Sequence, residues 1–80
     1  MNDKQDKRFY ILCGTEEDPL FISNMTLLSD EPRFVEPEES TKRRLTLPEE
    51  EVENMLRELR AWGCYNPRAV EVEFKSEKNI

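Results

Sequence analysis

The chain has 80 residues, of which 38% are charged and 36% hydrophobic, and its formal net charge at pH 7 is −6. A chain of this length buries only a thin core, so we expect one domain over residues 1–80, with its core at about 8–74 and polar termini. The negative charge disfavours non-specific binding to nucleic acid or anionic lipid, because phosphates repel an acidic surface on average.

Several residue types that catalytic and metal sites depend on are scarce. The sequence has no histidine, two glycines and only two cysteines, which lack the CxxC spacing of a zinc site. The missing histidine removes the commonest general base, and two glycines cannot build a phosphate-binding loop. Acidic residues at 36–39 and 49–53 fit no calcium loop and are explained by solubility and the helix dipole. We therefore expect a protein that is not an enzyme and uses no cofactor or metal.

The compartment is predicted from two further features. The first eight residues lack the apolar centre of a secretory signal, and no apolar run approaches the roughly 18 residues of a membrane span. We therefore expect a cytoplasmic protein without a membrane segment. In that compartment Cys13 and Cys64 are predicted to be reduced thiols, the first in the core and the second in a loop.

The N-terminal part of the chain predicts a β-hairpin. Residues 8–13 (RFYILC) are aromatic and aliphatic, and both faces are apolar, as in a central strand covered on both sides. A polar turn at 14–19 leads to a second predicted strand at 20–25. Residues 26–32 allow either a short helical turn or a loop.

The middle of the chain is less regular. Residues 33–35 and 44–47 each predict a short extended piece. The charged segment between them, about residues 36–44, has no apolar residue in its centre except proline, which predicts an exposed and mobile loop.

Residues 47–62 carry the strongest secondary-structure signal. Thr46 and Glu49 match a capping box, acids crowd the first turns, and Gly63 supplies a left-handed stop. Apolar residues recur at the spacing of one helical stripe: Val52, Met55, Leu56, Leu59 and Trp62. The pattern predicts an amphipathic helix with one buried face.

The C-terminal part predicts one more strand. Over residues 68–74, Val70, Val72 and Phe74 alternate with Glu71 and Glu73, which predicts a strand whose glutamate face is wet. The order β-β-(β)-α-β predicts an α+β fold: a small, mainly antiparallel sheet of three to four strands with the helix packed on one face.

Two groups of residues are candidates for partner binding. Trp62 and Tyr65 flank Gly63 and are of the type enriched at interfaces, although core packing is the simpler account of Trp62. Lys42, Arg43 and Arg44 form the compact basic cluster of the sequence. This cluster either contacts an anionic partner or balances the adjacent acids.

The assembled pattern, RFYILCG…LFIS…RFV…EEVENMLRELRAWG…AVEVEF, resembles small α+β proteins encoded by phages and prophages. The resemblance covers about residues 8–74, and the charged segment at 36–44 departs from it. Some small acidic phage proteins inhibit host machinery, so the resemblance implies a phage or mobile-element protein that inhibits a host factor; it assigns no functional residue.

Two functions follow from these observations. The first is a small, acidic, non-enzymatic protein that binds another protein or a second copy of itself as a homodimer. The alternative is a nucleic-acid-associated accessory factor that uses the cluster of Lys42, Arg43 and Arg44. An acidic face would favour the first function, and a basic patch on one face would favour the second.

Overall fold

The computed structural model describes residues 7–72, which form five strands, one α-helix and two 3₁₀ helices. The predicted α+β fold class is confirmed, with five strands in place of the expected three to four. The elements in chain order are β1 (Arg8–Gly14), β2 (Pro19–Ile22), the first 3₁₀ helix (Asn24–Leu28), β3 (Phe34–Val35), the second 3₁₀ helix (Thr41–Arg43), β4 (Thr46–Pro48), α1 (Glu49–Ala61) and β5 (Arg68–Glu71).

Strand β1 is the centre of a curled antiparallel sheet. One edge of β1 pairs with β5, and the other edge pairs with β4 along its first half and with β2 along its second half. Strand β3 extends the sheet beyond β2. A backbone bond of 2.8 Å from the Leu45 amide to the Ile22 carbonyl joins the end of β2 to the segment that leads into β4.

The main core lies between the sheet and α1. Its buried members are Ile11, Cys13, Ile22, Leu45, Leu47 and Leu59, and Val52, Met55, Leu56, Cys64 and Ala69 pack around them. Each buried aliphatic side chain of this kind contributes on the order of 2 kcal/mol to folding. The helix therefore sits where the apolar stripe predicted, over the face of β1 that carries Ile11 and Cys13.

The opposite face of the sheet is covered as well. Leu12 and Val35 are buried there, although α1 lies on the other side. The rings of Tyr10 and Phe21 meet edge to face at 5.6 Å between centroids, and the Arg44 guanidinium carbon lies 3.8 Å from the centre of the Phe21 ring. Strand β1 is thus covered on both faces, as its doubly apolar sequence predicted.

The start of the helix differs from the prediction. Thr46 does not cap α1; it lies in β4, opposite Tyr10, and the residue at the cap position is Pro48, which makes no side-chain capping bond. The Arg8 side chain donates to the Thr46 hydroxyl and carbonyl oxygens instead, at 3.2 and 2.9 Å from Nη2. Sheet pairing therefore outcompetes the capping box, and the helix begins two residues later than expected.

The end of the helix follows the prediction closely. The amide of Cys64 donates to the Leu59 carbonyl at 3.0 Å, and the amide of Gly63 donates to the Arg60 carbonyl at 3.0 Å. This pair of bonds is a Schellman motif, which requires a left-handed residue, and Gly63 has φ +88°. Trp62, at the C-cap, is 56% exposed. It therefore contributes little to the core, although core packing is the simpler explanation of this residue in the sequence.

Two strand predictions need correction. The second strand ends at Ile22, because the Ser23 hydroxyl accepts from the Met25 amide at 3.0 Å and starts a 3₁₀ helix. In β5 Ala69 packs on the core, whereas Val70 is 44% exposed. The face of the strand that carries Val70 is therefore not the buried face. Glu73 and Phe74 lie outside the described residues.

Candidate functional site

The connection between β2 and β3 presents apolar side chains to solvent. Met25, Leu27, Leu28 and Phe34 are 50, 63, 81 and 44% exposed. A small protein gains nothing in stability from leaving such side chains in water. Clustered exposure of this kind is typical of an interaction surface.

Local hydrogen bonds hold this connection in shape. The amide of Ser23 donates to the Arg33 carbonyl at 2.8 Å, closing the connection at its base. Inside it, the Thr26 hydroxyl accepts from the Arg33 amide at 2.9 Å and donates to the Arg33 carbonyl at 3.2 Å. The apolar side chains therefore stand on a hydrogen-bonded frame, which lowers the ordering cost of binding.

A cavity of about 600 Å³ lies beside the first 3₁₀ helix. We call it the apolar groove after its four apolar side chains, Met25, Leu28, Pro32 and Phe34, although polar and charged residues form the larger part of its exposed lining. Its volume falls within the range of sites that hold a small ligand or an anchoring side chain of a partner. Leu27, on the same 3₁₀ helix, does not line it.

A second, smaller cavity of about 60 Å³ adjoins the apolar groove and shares Ser29, Glu31 and Pro32 with it. Its far wall is formed by α1 through Met55 and Leu59, and by Trp62. Trp62, a candidate from the sequence, therefore lies beside the same segment that forms the groove.

Charged side chains border the apolar groove. Arg33, Arg43 and Glu31 line it together with the apolar residues, which gives the lining two positive charges and one negative. The Asn24 side-chain amide donates to the Lys42 carbonyl at 3.0 Å, which ties the second 3₁₀ helix to the first. This contact brings Arg43 to the groove even though the two segments are far apart in sequence.

The basic cluster of the sequence is divided in the structure. Lys42 and Arg43 are exposed. Arg44 is half-buried on the sheet face opposite α1, where its guanidinium stacks on Phe21 and donates to the Pro37 carbonyl at 3.1 Å. Its Nε is buried without a hydrogen-bond partner. Arg44 therefore stabilises the sheet rather than extending a surface patch.

Tyr65 is 68% exposed and lies at another part of the surface. Its carbonyl accepts from the Gly14 amide at 2.8 Å, which fixes the loop after α1 to the end of β1. Tyr65 lines neither of the two cavities described above. The structure therefore does not bring it together with the apolar groove.

The two cysteines, 51 positions apart in the chain, meet in the core. Both are free, and Cys64 packs against the buried cluster that contains Cys13. Burial raises the pKa of the Cys13 thiol; the neighbouring Cys64 raises it further, and Arg68 acts in the opposite direction. Cys13 therefore stays protonated to higher pH than an exposed thiol, because its surroundings disfavour the charged form.

Sequence reasoning missed the apolar residues of the groove. The sequence pattern places Met25 in a strand, Leu28 in a segment that allows a turn or a loop, and Phe34 in a short extended piece. One signal could have indicated them: the run Met25–Leu28 is apolar at three of four positions, yet it fits neither the helical stripe nor a two-sided strand.

Within residues 7–72, no group of three or more cysteine or acidic side chains is arranged to hold a metal ion. The described part of the chain also has no helix long and apolar enough to cross a membrane. No protein-family model matches the chain, and no curated protein or solved structure matches it either.

Proposed function

We propose that the chain is a non-enzymatic protein-binding module, which engages its partner through the apolar groove. The observation that supports this function is the exposure of Leu28 and Phe34 beside a cavity of about 600 Å³. An apolar anchor from a partner would remove both side chains from water. At about 25 cal/mol per Å² of buried apolar surface, burying these two side chains would contribute favourably to binding.

The charges beside the groove indicate the chemistry of the partner. Arg33 and Arg43 outnumber Glu31 in the lining, although the whole chain is acidic. We propose a protein segment that presents an apolar side chain next to a carboxylate. The carboxylate would be steered to the two arginines, and the apolar side chain would fill the groove.

The proposed biological role follows the sequence resemblance. We propose that the partner is a host factor and that the chain, as a phage-type or mobile-element protein acting in the cytoplasm, inhibits it by occupying its surface. Such a role needs no catalytic group, only a stable surface and enough affinity to compete with the factor's own ligands.

A pull-down from the native host with matched variants tests the groove. Leu28→Asp places a charge in the lining, whereas Leu27→Asp makes the same change on the same 3₁₀ helix outside the lining. We expect the Leu27→Asp protein to retain the partner and the Leu28→Asp protein to lose it by tenfold or more, at about 1.4 kcal/mol per factor of ten. Equal capture of that partner by both variants would contradict the proposal.

A mobility-shift experiment tests the nucleic-acid alternative. With Arg44 turned into the sheet, Lys42 and Arg43 are the members of the cluster that reach solvent. We therefore expect no mobility shift of duplex DNA or RNA at low micromolar protein and physiological salt. Tight binding that weakens steeply with salt and disappears in a Lys42→Ala/Arg43→Ala variant would favour the alternative over the protein-binding function.

A further inference from the structure

The loop after α1 is built to place Cys64 against the centre of the sheet. Gly63 takes the left-handed conformation, and the Cys64 amide then donates back to Leu59 at 3.0 Å. One residue later, the Tyr65 carbonyl accepts from the amide of Gly14 at 2.8 Å. Since Gly14 follows Cys13 directly, the backbone is held next to both cysteines.

The side chains complete this arrangement. Cys64 packs against the buried cluster that contains Cys13. A disulfide needs sulfur atoms that can approach to about 2.05 Å with little backbone movement. The 2.8 Å backbone bond from Gly14 to Tyr65 holds the residues next to Cys13 and Cys64 together, and both cysteines pack in the same core. Cys64 is half-buried, whereas Cys13 is buried, so a reagent from solvent reaches Cys64 first.

We propose that Cys13 and Cys64 form an oxidisable dithiol, a modification site at which a low-molecular-weight disulfide closes an intramolecular bond between β1 and the loop after α1. This site is separate from the apolar groove and does not depend on the protein-binding function. The bond would close a loop of about 50 residues, a length at which a cross-link strongly restricts the unfolded chain.

The reaction is a pair of thiol–disulfide exchanges, written here for oxidised glutathione. The Cys64 thiolate, having lost its proton to water, attacks one sulfur of oxidised glutathione; a bond to Cys64 forms, and one glutathione thiolate leaves and takes up a proton. The Cys13 thiol then loses its proton and attacks the Cys64 sulfur, which releases the second glutathione. The protein loses two electrons and two protons, and one glutathione disulfide becomes two thiols.

Intact mass and peptide mapping test the proposal on the full reduced chain treated with oxidised glutathione. We expect a monomer lighter by two hydrogens, with a cross-linked peptide pair containing Cys13 and Cys64. Oxidation should raise the Tm on the order of 10 °C, and dithiothreitol should reverse the change. The Cys64→Ser protein should not cyclise, and the Cys13→Ser protein should retain a glutathione adduct on Cys64.

A second measurement remains decisive if the Cys13→Ser protein does not fold. At one fixed ratio of reduced to oxidised glutathione, the wild-type chain should reach a ratio of cyclised to reduced protein about tenfold higher in buffer than in concentrated urea, because only the folded chain holds the thiols together. A lasting glutathione adduct on the wild type, a cross-link between two chains, unreacted thiols, or equal cyclisation in urea would each overturn the proposal.

Discussion

Arg44 covers part of the sheet face opposite α1. Its guanidinium carbon lies 3.8 Å from the Phe21 ring centre and 5.0 Å from that of Tyr10. Stacking of this kind is worth about 0.5–2 kcal/mol, and the aliphatic part of the side chain adds apolar cover. The unpartnered Nε offsets some of that gain, because a buried donor without an acceptor costs free energy.

At the residue scale we therefore predict that Arg44→Ala destabilises the fold. The free energy of unfolding should fall by about 1–2 kcal/mol, measured by urea denaturation with fluorescence or circular dichroism. The matched control is Arg57→Ala on the exposed side of α1, where the arginine donates to Asn54 at 3.2 Å. That change should stay within about 0.5 kcal/mol, and equal losses in the two variants would contradict a role for the stack.

Among the elements, two turns depend on glycine for different reasons. Gly14 ends β1 with φ +93°, and Gly63 ends α1 with φ +88°. A Cβ at position 14 would lie 2.7 Å from the Asp18 carbonyl oxygen, whereas a Cβ at position 63 would meet nothing within 4 Å. Substitution by alanine therefore adds only backbone strain at Gly63, but both backbone strain and a steric clash at Gly14.

This pair gives a prediction at the scale of the element. Gly63→Ala should lower the free energy of unfolding by about 1 kcal/mol, the cost of a left-handed conformation for a residue with a side chain. Gly14→Ala should cost clearly more, because its Cβ would displace backbone atoms of the β1–β2 turn. Thermal or urea unfolding of the two variants measures the difference, and a larger loss at position 63 would contradict the structure of the turn.

At the scale of the whole molecule, the chain covers only part of its own apolar surface. The doubly apolar β1 is covered within the chain by α1 and by Arg44. The apolar groove and Trp62 remain exposed. Self-association is therefore expected to use the groove, in competition with the proposed partner, rather than β1.

We predict a homodimer at micromolar concentration, detected by light scattering or sedimentation. Leu28→Asp should shift the protein towards monomer, because it removes the most exposed apolar side chain of the groove and places a charge in the interface. Leu27→Asp is the matched control and should leave the dimer in place. A wild-type chain that stays monomeric throughout the micromolar range would contradict the predicted homodimer.

The arrangement of charge also belongs to this scale. The exposed acids of the first turn of α1 and the two arginines beside the groove lie on different elements, so charge is unevenly distributed over this acidic protein. An acidic protein that presents arginines next to apolar side chains can select an acidic partner segment while its remaining surface repels nucleic acid.

The sequence by itself determined the elements with strong local signals. The stripe of Val52, Met55, Leu56 and Leu59 located the helix, Gly63 located its end, and the doubly apolar β1 indicated a central strand. These features could be predicted because periodicity and left-handed glycine depend on neighbours in the chain. The fold class followed from the order of the elements.

Only the tertiary structure decided the features that depend on contacts between distant residues. Thr46 matches a capping box locally, but pairing with Tyr10 and bonds from Arg8 hold it in a strand. Arg44 points away from Lys42 and Arg43 because its guanidinium stacks on the rings of Tyr10 and Phe21. The apolar groove forms where segments distant in sequence meet, and Cys13 meets Cys64 across 51 positions. Local sequence cannot specify contacts between distant residues, because the free energy of each contact depends on which surfaces the folded chain brings together.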